Sequence, residues 1–441
     1  MDCVLTKNQR EYVLFHLDYS FELSPEIRDL FLFGEKKKGN ICFYQSTEAY
    51  NEKSVLYIDD IPILFPGDRD EGIYTFNKGT LEFHHDILKS AFYLLSGYQE
   101  YASCKKDKLG RFPYDESIQY KLGFLHKPIV NYFFEWIGKG IEEYCLYHKL
   151  PFKKKELFNN FGFFLTHDID RIDKYNFHLT KNKLKNKKLK EFFHYALKFL
   201  NPFDHDNPYW SFDYLLELNK KYDMTSTYFF LNRGVRHIDS YYHYSMKRIS
   251  KLIKRLEENN CEIGLHGTVK SADDSQVMQK NLDELNKVSK KPVIGNRQHR
   301  LSYIHPLTIK LLGERAIKYD STLGFAGHEG FRNSYCLPFH LYDFENDEML
   351  PLWEIPLIVM DSTIFDYRKL SYKKAHQSIK NILGEINRFN GIFTLLWHNS
   401  YCDKETRPGI CGFYDSILKM IHDKKGESLR GKDILERIDA E

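Results

Sequence analysis

Between residues 160 and 425 seven short apolar runs alternate with amphipathic stretches, and this alternation constrains the fold more than any other feature of the chain. The runs are 162–166, 225–231, 262–266, 292–295, 318–321, 354–359 and 393–397. Each is long enough for a strand buried on both faces and too short for a helix. The stretches between them carry helical spacing. Ile249, Ile253 and Leu256 share one face of 246–257, and Ala375, Ile379, Ile382, Ile386 and Phe389 share one face of 372–389. Strands separated by helices imply an α/β fold with a parallel sheet, of which a barrel is one closed form.

Residues 1–155 lack this alternation and read as mixed α/β. Residues 54–64 suit two strands around an Asp59-Asp60 turn, 86–101 and 128–147 have helical periodicity, and 105–114 is a polar turn region with Gly110 and Pro113. Pro151 and Lys153-Lys154-Lys155 precede the sharply apolar Phe161-Gly162-Phe163-Phe164-Leu165. A boundary there divides the chain into an N-terminal domain, 1–155, and a larger domain, 156–441. With 42% hydrophobic residues the chain can fill a core, and the 16% aromatics read as part of that core before they read as sugar platforms. A balance of 64 basic against 61 acidic residues excludes a nucleic-acid footprint over the whole protein. The exception is local: residues 181–190 hold six lysines, from Lys181 to Lys190, which is a solvated face or a contact for anionic membrane or phosphate. No run approaches the roughly 20 apolar residues of a membrane-spanning helix. The first residues show no basic segment followed by an apolar one, so the expectation is a cytoplasmic protein with reduced thiols. None of the eight cysteines forms a C-x-x-C pair, which argues against a thiolate zinc site.

Four runs end in residues able to do chemistry. Leu165-Thr166-His167-Asp168-Ile169-Asp170 carries an apolar strand into Asp-x-Asp. Residues two apart on extended chain face the same side, so Asp168 and Asp170 address one site. Two carboxylates at a buried strand end repel unless a cation lies between them, and a metal with a general base is the use that resolves the repulsion. Glu262-Ile263-Gly264-Leu265-His266 ends in a ligand-type histidine. In Gly295-Asn296-Arg297-Gln298-His299, Arg297 and His299 share a side if the chain is extended. Phe393-Thr394-Leu395-Leu396 runs into Trp397-His398-Asn399. Each alone has a plainer explanation: a helix-capping corner, a structural histidine, a surface ion pair. Four together are better explained by one shared site, because barrels of parallel strands build their sites at that end.

In this order the segments resemble the polysaccharide deacetylase family (carbohydrate esterase family four) over about residues 160–425. The resemblance implies an irregular (β/α) barrel of about seven parallel strands. It implies Asp168 as general base, Asp170 and His266 as metal ligands, Arg297 as the residue that steadies the base, and His398 as general acid. Tyr319-Asp320-Ser321-Thr322-Leu323-Gly324-Phe325 and Glu354-Ile355-Pro356-Leu357 look like a bacterial branch in which a smaller region precedes the barrel. Residues 91–101, Gly110-Arg111-Phe112 and Gly123-Phe124-Leu125 resemble that region.

One position departs from the family pattern. The family usually has a second metal-binding histidine four residues after the first, and here that residue is Lys270, whose protonated amine has no lone pair to donate. The third ligand is then His299, or His167, which strand alternation turns away from Asp168 and Asp170, or a water. Asp320 orients Arg297 or lines the site, Trp397 packs more than it binds sugar, and Asn399 and Lys270 stand with them as supporting or substrate-binding residues. The implied activity is removal of N-acetyl groups from a carbohydrate by a divalent metal, most simply zinc, releasing acetate and an amino sugar. Two other readings stay open: a catalytically silent carbohydrate-binding protein, which Lys270 favours, and an amidase acting on a non-sugar C–N bond. Asp204-His205-Asp206 imitates a metal cluster but sits in a Pro-flanked turn, and His84-His85-Asp86 reads as a helix start. Gly324, Gly327 and Gly330 read as a mobile loop near the site, and 401–412 as a cover over it.

Overall fold

The computed structural model describes residues 3–68, 70–200, 207–234 and 238–440. Asp204-His205-Asp206 lies outside the described residues. One large sheet is built from β1 (Gly162–Ile169), β2 (Thr227–Leu231), β3 (Glu262–Gly267), β4 (Gly295–Gln298), β5 (Tyr319–Asp320), β6 (Phe339–Asp343), β7 (Glu348–Glu354), β8 (Val359–Met360), β9 (Ile392–Leu396) and β10 (Glu427–Ser428). Its order is β6-β7-β5-β4-β3-β2-β1-β9-β8, with β10 paired to the start of β1. Every pairing is parallel except β6 with β7. The fold is therefore mixed α/β around a mostly parallel sheet, and its central strands are buried throughout, which is why they read as unbroken apolar runs.

Two strands are displaced from the runs that announced them. The run 292–295 only approaches β4, because the paired residues are the polar Asn296, Arg297 and Gln298, all fully buried. The run 354–359 links the end of β7 to the start of β8. Apolar periodicity cannot mark a strand whose side chains are buried for their polar chemistry. The registers bring the informative ends together: His266 lies beside Arg297, and Phe229 beside Asp168.

The N-terminal residues form a four-stranded sheet, Phe31–Phe33, Ile41–Phe43, Thr80–Phe83 and Tyr74–Asn77 in that order. A separate hairpin, Leu56–Ile58 with Ile61–Ile63, turns through Asp59 and Asp60, both left-handed at φ 50° and 61° as a tight two-residue turn demands. Asp86 caps the helix Ile87–Leu95 by accepting from the Lys89 amide. One hydrophobic cluster runs from Leu5 to Ile438 and takes in residues of both regions. Arg332 donates to both oxygens of Glu100 at 2.7 and 2.5 Å across this seam. The glycine loop after β5 packs within it instead of lying free. Gly330, at φ 129°, sits so close to the Leu125 carbonyl that a Cβ would approach it to 2.2 Å. No helix among the described residues is long and apolar enough to cross a membrane.

A histidine pair closes the same seam. His16, on the helix Lys7–Leu17, bonds the Tyr12 carbonyl through Nδ1 at 2.8 Å, and its Nε2 accepts from the His340 amide at 3.0 Å. Burial, helped by the neighbouring His340, pushes His16 down to about 3. In the unfolded chain the same imidazole titrates near 6.5. Below about 6.5 the unfolded chain takes up a proton that the fold refuses, so the contribution is complete above that value and shrinks as pH falls. Between pH 7 and 5 the stability advantage of wild type over His16→Gln should shrink by about 2 kcal/mol. Parallel denaturant titrations of the two proteins at pH 7 and 5 check this; a constant difference refutes it.

Candidate metal centre and active site

The C-terminal ends of β1, β3, β4 and β9 open into a cleft of about 400 Å³ lined by Asp168, Asp170, His266, His299 and His398. Asp168 ends its strand almost wholly buried, and its Oδ1 accepts from Arg297 Nη1 at 3.0 Å. Arg297 is also buried and spends its remaining donors on its own setting. Nη1 reaches Thr166 Oγ1 at 2.8 Å, Nε the Ser321 carbonyl at 2.7 Å, and Nη2 Ser321 Oγ at 2.9 Å. The guanidinium lies 4.6 Å from the Phe229 ring centre. With these partners its fork is fixed against Asp168.

Three imidazoles surround Asp170, and each has its Nδ1 committed elsewhere. His266 Nδ1 bonds the Arg297 carbonyl at 2.8 Å, His299 Nδ1 meets Asp239 Oδ1 at 2.8 Å, and His398 Nδ1 meets Asp361 Oδ1 at 2.7 Å. Such second partners fix the tautomer and leave Nε2 facing inward. Nε2 of His266, His299 and His398 lies 3.2, 3.6 and 3.7 Å from the Asp170 carboxylate. Burial alone would raise the Asp170 pKa, but the surrounding histidines hold it well below the usual carboxylate range. Burial likewise works against charge on His299 and His398. Asp170 and Asp239 nevertheless lift His299 to about 9, and Asp361, Asp170 and Asp168 lift His398 to about 10.

Asp170, His266 and His299 offer ligand atoms within 4.8 Å of one another. One oxygen of Asp170 is buried without a hydrogen-bond donor. A partly buried carboxylate, an unsatisfied oxygen and imidazole nitrogens oriented by acceptors on their far sides make a donor set that fits a divalent cation.

Other expected residues stand elsewhere. Lys270 does not line the cleft. Beyond Gly267 the chain tightens into the turn Val269–Ala272, and the Lys270 amine, 65% exposed, pairs with Asp274 at 3.2 Å. Asp320 does not orient Arg297, a task that falls to Ser321. It is buried behind the site, accepting from Asn296 and Thr322 at 2.7 and 2.9 Å. Trp397 packs, stacking on Tyr414 at 4.4 Å. Asn399 is buried and ties loops together through the carbonyls of Arg171 and Tyr209 at 2.8 and 2.6 Å. His167 points away from the cleft, to the Trp397 carbonyl at 2.7 Å.

Sequence reasoning missed Asp239, Asp361 and Ser321. Asp361 follows the apolar Leu357-Ile358-Val359-Met360, so the rule that found the other strand ends would have reached it had that run been read to its last residue. Asp239 lies in a stretch without periodicity and carries no such signal. It also missed that the N-terminal region enters the site. Leu109 and Arg111 line the cleft, and Arg111 Nη1 donates to the Arg300 carbonyl at 2.8 Å. That carbonyl belongs to a left-handed pair, Arg300 and Leu301 at φ 61° and 55°, of the kind that clusters at functional sites. Tyr401, the first residue of the expected cover, also lines the cleft.

The model of DUF7033, a family of unknown function, matches residues 6–146. No curated protein matches. Among solved structures the chain is similar to a protein from Mycobacterium smegmatis described as a polysaccharide deacetylase, with 19% identity and a TM-score of 0.44 over 64% of this chain and 91% of that one. It is also similar to PuuE allantoinase, with 13% identity and a TM-score of 0.43 over 64% and 91%. A third likeness is to a CE4 family pseudoenzyme from Bacillus anthracis, with 11% identity and a TM-score of 0.35 over 63% and 66%. Likenesses this remote carry neither an activity nor a ligand across.

Proposed function

We propose that this chain is a metal-dependent hydrolase that removes N-acetyl groups from a carbohydrate. The observation that carries the reading is the convergence of Asp168, Asp170, His266, His299 and His398 on one cleft, with each imidazole anchored through Nδ1 and open at Nε2. On this reading the sheet closes as the irregular barrel of the family that the sequence resembles, with residues 1–155 as an accessory domain. Asp170, His266 and His299 hold the metal, zinc by the chemistry of the donors. When bound, such an ion acts as a Lewis acid that polarises a carbonyl and acidifies water.

The other residues supply positioning and proton transfer. Asp168, held in place by Arg297, takes a proton from water within the cleft. His398, held in its protonated form by Asp361, gives a proton to the departing amine. Bond breaking thus needs one base and one acid on opposite sides of the amide, and Asp168 and His398 come from different strands, β1 and the end of β9. His299, which follows β4, faces Asp170 and supports a third ligand in the place that Lys270 leaves.

The test is acetate release from N-acetylated glycans, nucleotide sugars and glycolipids by zinc-loaded protein, with metal content measured in parallel. One zinc per chain and release from at least one substrate class is the expected result. Stoichiometric metal with no release across the panel sinks the deacetylase reading and leaves the non-sugar amidase.

A further inference from the structure

We infer that the helical hairpin following β1 is a docking element for an anionic lipid bilayer. It consists of the helices Phe177–Lys185 and Leu189–Leu200, joined within the lysine run. Leu189, Phe193, Leu197 and Leu200 are 56, 61, 72 and 74% exposed. At 100° per residue these four fall within one stripe of about 80° along the second helix. Tyr195 lies on the opposite side and is buried. The first helix adds Phe177 and Leu184, seven residues apart on one face and likewise exposed. With Phe199, exposed beside the stripe, seven large apolar side chains are offered to water in 24 residues, a surface that soluble domains seldom leave uncovered.

The charge around the stripe selects the occupant. Lys181, Lys185, Lys187 and Lys190 are exposed and, among the described residues, have no carboxylate partner. Glu191 is the only acid between residues 177 and 200, and it is taken by Lys183 and Lys188. An apolar stripe edged by unpaired lysines is the pattern of a helix that lies in the plane of a bilayer, with its apolar side chains about 5–10 Å into the headgroup boundary and its ammonium groups on anionic lipid. A second copy of this chain would have to bring like charge against like charge at the same lysines, which disfavours a dimer. The hairpin is also tied to the cleft. Tyr175 packs edge-on against Tyr195 at 5.2 Å, only a few residues after Arg171, which lines the cleft. The inference does not depend on the hydrolase reading.

Flotation of the full chain with phosphatidylcholine vesicles, with and without phosphatidylglycerol, tests it. Wild type should partition onto the anionic vesicles at least about tenfold more than onto neutral ones, a factor that one or two lysine contacts already supply. Phe193→Glu with Leu197→Glu should lose that binding while the melting temperature stays within a degree or two, since both side chains are exposed. Changing Lys181, Lys185, Lys187 and Lys190 to Gln should abolish the preference for anionic lipid. The inference is overturned if wild type and the double Glu variant float equally. It is also overturned if wild type ignores phosphatidylglycerol, or if light scattering shows a dimer that the double Glu variant dissolves without any vesicle binding.

Discussion

Asp168→Asn should lower the rate of acetate release about 10²–10⁴-fold while leaving fold and metal content unchanged. The substitution is close to isosteric. The new amide oxygen can still accept from Arg297 Nη1, and Arg297 keeps Ser321 and Thr166, so the guanidinium loses its carboxylate partner but none of its hydrogen-bond acceptors. What disappears is the capacity to take a proton. Asp168 is not among the three groups that converge as a ligand set, so a large fall in rate at constant zinc separates the base from the metal ligands. Melting temperature, zinc per chain and the rate, measured on one preparation, decide the matter. An Asp168→Asn protein as active as wild type would remove the base and the hydrolase reading with it.

The legible part of this molecule is the part governed by strand geometry. Asp168 and Asp170 were traceable because alternation puts residues two apart on one side, and His266 and His398 because each ends an apolar run; the cleft holds all four. The same rule turned His167 away, and there it lies against the Trp397 carbonyl. Legibility fails where placement depends on loops or on polar burial. β4 is built of Asn296, Arg297 and Gln298, so no apolar period marked it. The role expected of Asp320 passed to its neighbour Ser321, because the Ser321 carbonyl and hydroxyl both face the guanidinium. Asp239 sits 60 residues from His299, and nothing in the sequence pairs them. Arg111 reaches the cleft from the N-terminal region through a contact spanning 189 residues. Tertiary proximity of that kind leaves no periodic trace.

His299→Ala should reduce zinc affinity more than about a hundredfold, whereas Lys270→Ala should leave it unchanged, a scale set by the 10–100-fold typical of losing only an outer partner of a ligand. The contrast rests on where each side chain stands. His299 Nε2 faces Asp170 at 3.6 Å from a side chain 8% exposed, while the Lys270 amine is solvated and held by Asp274. Asp239→Asn should fall between the two, losing about 10–100-fold, because it weakens the acceptor that orients His299 without removing the ligand. His299→Ala itself does not strand Asp239, whose Oδ1 still accepts from the Val269 amide at 3.1 Å. Since His299 is held protonated before a cation arrives, metal uptake by wild type should release a proton that the alanine variant does not release, which calorimetry in two buffers of different ionisation enthalpy detects. Unchanged zinc affinity in His299→Ala would mean that the third ligand position belongs to water. The site would then be a weaker one built on Asp170 and His266 alone, and the proton signature would be missing from wild type as well.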